Sequence, residues 1–210
     1  MKICIFAETK DFDIRLYKVL CTRLLKECYC FEDIEFADHS FDPEGKGNLL
    51  KHLCTEIDLI SEQNPDLEII FVFADCDDLA PKKQRKIIRD LINEHVTHFP
   101  SENIILGSPK RNVEGWLLSD IDNLNHYLPK SIKEFPHAEI ISDPKIAFKS
   151  IWEMSGKHEK KPIFASQLCS SINFMTLCRR SQTFLTFHED LRQIIEIKYP
   201  HKSHTGHQII

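Results

Sequence analysis

The sequence predicts an α/β fold: a mainly parallel, Rossmann-like sheet with flanking helices, followed by a helical C-terminal part. Three observations predict it. Runs such as "KICIF" and "LEIIFVF" carry no polar face, as strands covered on both sides do. Stretches with apolar residues at helical spacing separate them. Strand and helix alternate through the first 130 residues or so, and then the strands stop.

Taken in order, residues 2–8 ("KICIFAE") form a buried strand ending in an acid. Residues 11–29 carry a helical apolar stripe at 14, 16, 17, 19, 20, 24 and 25, with Asp11 and Asp13 placed to cap it. Residues 33–39 alternate like a strand, and 42–48 ("DPEGKGN") have loop chemistry. A helix follows over 49–63, broken by "NPD". Residues 67–75 ("LEIIFVFAD") make the strongest strand in the chain. Pro81 opens a helix over 81–99, with Ile87, Ile88, Leu91 and Ile92 as its buried side. "NIILGS" (103–108) is a further buried strand, leading into one helix over 114–128. "AEIISD" (138–143) has the look of a short extra strand, and everything after it is helical. The expected organisation is an α/β core over 1–143, a helical extension over 144–200 packed on it, and a flexible tail over 201–210.

Composition excludes several classes. With 42 % hydrophobic and 28 % charged residues, and only 6 Gly and 10 Pro, the chain is neither disordered nor low-complexity. No apolar run reaches the roughly 18–20 residues of a membrane span, and "MKICIFAETKD" does not read as a secretory leader. The eight cysteines are scattered without a CxxC pair, which points to reduced thiols in a cytoplasmic protein. The net charge of −5 is uneven: from residue 157 onward eight Lys/Arg face four acids, so a basic end sits on an acidic body. That distribution suits an anionic partner. Ser166 and Ser170 lack a His–Asp context for serine chemistry, and His201, His204 and His207 read as part of the tail.

The chemistry gathers where strands end. In an open α/β sheet, ligands bind outside the carboxyl ends of the strands. Glu8 ends the first strand, Asp75, Asp77 and Asp78 end the third, and Glu114 opens the helix after the fourth. Any one of these acids is explained as well by a loop or a cap. Together they bring several negative charges to one edge of one sheet, where each raises the pKa of the next. A hard divalent cation, Mg²⁺ or Mn²⁺, is the usual compensation. In an extended segment residues i and i+2 point the same way, so Asp75 and Asp77 are expected to share an ion or to bind one each of two. Asp78 is expected to cap the following helix. Asp120 is placed to support the site from behind. Lys82, Lys83 and Arg85 follow the aspartates, and Lys110 and Arg111 precede Glu114. Metal-binding acids rimmed by bases that seat phosphates form the layout phosphodiester chemistry needs.

A strand ending in Glu8, a long helix, and a later strand ending in Asp75-x-Asp77 resemble the TOPRIM signature. It is found in topoisomerases, bacterial primases, the ribonuclease that matures 5S ribosomal RNA, and the OLD-type nucleases. "RNVEGWLLSD" (111–120), "DPKIAFKSIW" (143–152) and "SQTFLTFHEDL" (181–191) are similar to segments of a prokaryotic TOPRIM-like family of unknown function, so the likeness spans nearly the whole chain. Thr9 departs from the pattern, standing where TOPRIM proteins commonly have Gly. The resemblance implies a Mg²⁺-dependent nuclease acting on DNA or RNA. Glu8, Asp75 and Asp77 are then catalytic and metal-binding, with Glu114 as an additional ligand. It also implies a place in anti-phage defence or abortive infection. Two rivals stand beside it. One is a partner-dependent or non-catalytic module working with an ATPase. The other is a phosphotransfer receiver, which would need a lone acceptor Asp rather than a cluster.

Overall fold

The computed structural model describes residues 1–134, 136–156 and 159–202. Four strands form one parallel sheet in the order β2-β1-β3-β4: β1 (Lys2–Phe6), β2 (Glu35–Phe36), β3 (Ile69–Phe73) and β4 (Ile104–Gly107). Every residue of β3 is buried, as expected for a central parallel strand. Alternation along the strands splits the core in two. Ile70, Val72, Ile104 and Leu106 face Leu49, Leu53 and Ile57 of α2 (Lys46–Gln63) and Ile88 and Ile92 of α3 (Pro81–His95). Phe71, Phe73 and Ile105 face the other layer, built by α1 (Arg15–Tyr29), α4 (Val113–Leu117), α5 (Ile121–Asn125), α6 (Pro144–Met154), α7 (Lys161–Ser171), α8 (Phe174–Arg180) and α9 (Gln182–Lys198). The C-terminal helices therefore close one face of the sheet: Trp116, Phe184 and Phe187 pack on one another, Trp116 and Phe187 also pack on Phe73, and Trp116 donates to Thr183 Oγ1 at 2.9 Å. Among the described residues no helix is long and apolar enough to cross a membrane.

Several local expectations need correction. The first helix opens with a π-turn over Lys10–Ile14, capped by Thr9, whose Oγ1 accepts from Asp13 N; Asp11 and Asp13 do not cap it. β2 is only two residues long. Ile87 is 43 % exposed, so the buried side of α3 is Gln84, Ile88 and Ile92. The helix expected over 114–128 is two, because Asp120 turns its carboxylate into the chain between them. It accepts from Asn123 N at 3.1 Å and from Asn173 N at 2.7 Å, which caps α5 and ties it to the start of α8. Residues 138–143 are not a strand; a single 3₁₀ turn covers Ala138–Ile140. Glu139 in that turn accepts from Ser181 Oγ and Thr183 N at the start of α9. His204 and His207 lie outside the described residues.

Candidate active site at the carboxyl edge of the sheet

Four carboxylates from four segments lie within electrostatic reach of one another beyond the ends of β1, β3 and β4. Glu8 follows β1 within two residues and is half-buried; its Oε1 accepts from Asp75 N at 2.7 Å. Its main-chain oxygen accepts from Gly45 N at 2.8 Å, so this one residue joins the ends of two strands and the start of α2. Burial pushes the Glu8 carboxyl up, with Asp77 and Asp13 adding to it, while the Asp75 N–H and Lys46 pull it down. Asp75 is pushed up to about 9, first by burial, then by Glu8, Asp13 and Asp77, with Lys145 opposing. Asp13, brought in by the π-turn, is raised by burial, held down by Thr9, and raised again by Glu114. Thr9 Oγ1 donates to its Oδ2 at 2.8 Å. Glu114 is 2 % exposed; Lys161 Nζ donates to its Oε1 at 3.1 Å, while its Oε2 has no hydrogen-bond partner among the described residues. One buried phenol registers the convergence: after burial, the charges that raise Tyr17 are those of Asp75, Asp13, Glu8 and Glu114.

Asp77 stands apart from this group. β3 ends at Phe73, and Asp77 adopts φ 49°, so the extended alternation expected for Asp75 and Asp77 is broken. Its side chain is 56 % exposed and paired with the Lys46 ammonium. Cys76 between them is buried and donates to Ser108 O at 3.3 Å; burial pushes its thiol up to about 12, which makes it a packing residue. Asp78 does not cap α3, whose N-cap is Ala80 without a side-chain bond; it is 91 % exposed and pairs with Arg111 at 2.9 Å.

Of the bases expected to seat phosphates, Lys82 and Lys83 are exposed. Arg85 is committed elsewhere: it donates to Leu106 O on the open edge of β4 and pairs with Asp190 on α9. Lys110 donates to Glu139 O at 2.5 Å. The three lysines that do face the carboxylates are Lys46, Lys145 and Lys161. These and Asp13 are the residues sequence reasoning missed. Their common signal is a lysine in the first turn of a helix with no acid in that turn.

Among the described residues no three His, Cys, Asp or Glu side chains stand close enough to hold a metal ion together as placed. The donor set nevertheless fits a hard divalent cation in chemistry. It offers oxygen ligands only, includes a buried carboxylate oxygen without a partner, and holds Glu8 and Asp75 carboxyls that burial and neighbouring acids push up. The cleft of about 620 Å³ between α2 and α3, lined by Cys54, Asp58, His95 and His98, includes none of these acids. Comparison with family models, curated proteins and solved structures finds no match to this chain.

Proposed function

We propose that this protein is a Mg²⁺-dependent phosphodiester hydrolase acting on nucleic acid, on a TOPRIM-like sheet. The observation that carries the reading is the 2.7 Å hydrogen bond from Asp75 N to Glu8 Oε1, which joins the ends of β1 and β3 at an edge where Asp13 and Glu114 lie within electrostatic reach. Asp75, Glu8 and Asp77 would hold the cation, and Glu114 would offer its unpartnered Oε2 as an additional ligand. When bound, the cation supplies charge neutralisation at the non-bridging phosphate oxygens and at the leaving oxygen. Glu8 Oε1 is held by the Asp75 N–H, which leaves Oε2 to take the proton of the attacking water. Burial raises its carboxyl, and a raised pKa makes the carboxylate a stronger proton acceptor. Lys82 and Lys83, on the solvent side of α3, would seat the backbone of DNA or RNA, joined by Arg111 once it leaves the exposed Asp78. A role in anti-phage defence belongs to the same proposal and rests on the TOPRIM resemblance alone.

The test is cleavage of end-labelled single-stranded and duplex DNA and RNA with and without Mg²⁺. The double variant Asp75→Ala, Asp77→Ala is expected to lose Mg²⁺-stimulated cleavage by at least about 10³-fold and to keep its circular-dichroism spectrum. Wild-type rates in the folded double variant would sink the assignment.

A further inference from the structure

We propose that Lys46 is a built-in counter-ion latch: it holds Asp77 away from the carboxylate centre, and a divalent cation engages the centre by displacing it. The inference rests on the functional reading above and adds to it a residue and a movement.

Four observations carry it. First, Lys46 Nζ reaches two atoms of the same loop, donating to Asp75 O at 3.1 Å and pairing with the Asp77 carboxylate. An ammonium placed between an aspartate carboxylate and a main-chain oxygen occupies the kind of oxygen-rich position a hard cation takes. Second, the latch is anchored. Lys46 is the first residue of α2, behind Glu44 at φ 53° and Gly45 at φ 126°, and Gly45 N bonds to Glu8 O at 2.8 Å. The lysine side chain is 23 % exposed, whereas the aspartate it holds is 56 % exposed. The aspartate is therefore the side free to move. Third, Asp77 is a non-glycine residue at φ 49°, in the left-handed region that L-residues seldom adopt. Release of the pair lets that residue return toward the extended region, where it shares a face with Asp75. Fourth, the centre lacks charge. Glu8, Asp13, Asp75, Asp77 and Glu114 face Lys46, Lys145 and Lys161, and Glu114 Oε2 is buried without a partner. With all five carboxyls ionised, as a bound cation would favour, that leaves two negative charges, the complement of one divalent cation. The ammonium so freed would be available to a phosphate oxygen of the substrate.

The full-length wild-type chain is titrated with Mg²⁺ and with Mn²⁺ by calorimetry. In parallel, Lys46 is labelled with an amine-acylating reagent and read by peptide mass spectrometry, with exposed Lys51 on α2 as internal reference. Saturating Mg²⁺ is expected to raise Lys46 acylation about three- to fivefold, the range set by breaking a partly exposed ion pair, and to leave Lys51 unchanged. Lys46→Met is expected to bind Mn²⁺ tighter by a similar factor, and Lys46→Arg to stay at the wild-type affinity. Binding with unchanged Lys46 labelling, or a Lys46→Met affinity at or below wild type, overturns the latch and leaves the hydrolase reading standing. Absence of any Mg²⁺ or Mn²⁺ binding overturns the hydrolase reading and the latch with it. If Lys46→Met does not fold, the wild-type labelling decides alone.

Discussion

Replacing Asp75 by Asn should stabilise the metal-free protein at neutral pH. Asp75 is pushed from 3.8 to about 9 by burial and by Glu8, Asp13 and Asp77. Between those values the folded chain holds a proton that the unfolded chain has released. Stability is therefore fully present below about pH 4 and is lost as pH rises through about 9. At pH 7 the gap from 3.8 spans about three pH units, which at about 1.4 kcal/mol each gives roughly 4 kcal/mol as a ceiling. Asp75 keeps some contact with water, and screening brings this to about 2 kcal/mol. Asn cannot ionise and escapes the loss. For a chain of this size that corresponds to a midpoint about 4–8 °C higher. The assay is thermal unfolding of wild type and Asp75→Asn in chelator at pH 4.5, 6, 7 and 8. The curves should coincide near pH 4.5 and separate steadily above it. A variant that melts at or below wild type at pH 8 refutes the argument that uncompensated charge is stored at this strand end.

Three further outcomes separate support from chemistry among the basic residues. Arg85→Ala should cost about 2–3 kcal/mol in urea unfolding, because it leaves the Leu106 carbonyl and Asp190 without their charged partner. Lys82→Ala with Lys83→Ala should change stability by less than about 0.5 kcal/mol and lower the salt dependence of DNA binding by roughly two in log–log slope. Lys161→Met should destabilise by about 3–5 kcal/mol, since it strands a Glu114 that is 2 % exposed, and adding Glu114→Gln should recover much of the loss.

The main strands were legible because burial on both faces leaves little room for polar residues. β1, β3 and β4 read as apolar runs, and the helices between them as stripes. Residues 138–143 misled because six residues cannot separate a strand from a turn by period. Ile140 is 71 % exposed and Ile141 is buried, an alternation that a 3₁₀ turn produces equally well. The break at Asp120 was illegible for a different reason. Its carboxylate is drawn out of the helix by Asn173 N, a partner 53 residues away. Asp13 was hidden because its approach depends on the π-turn at Lys10–Ile14, and no local pattern announces that turn.

Apart from Asp13, the acids of the candidate site are read from strand ends; its lysines follow from a rule they break. Helix N-termini favour negative side chains, each by about 0.3–1 kcal/mol, so an acid is expected in the first turn. α2, α3, α6 and α7 have none there and carry lysine instead: Lys46, Lys82 and Lys83, Lys145, and Lys161. Three of these four helices direct their lysine at the carboxylates, where its attraction to Asp77, Asp75, Asp13 or Glu114 offsets the unfavourable dipole. The helix starts and the strand ends thus describe one electrostatic object from two sides. A chain that places lysine against the dipole at several helices around one acidic edge has organised its charges around that edge, and this second pattern supports the site independently of the D-x-D spacing whose extended geometry the structure does not keep.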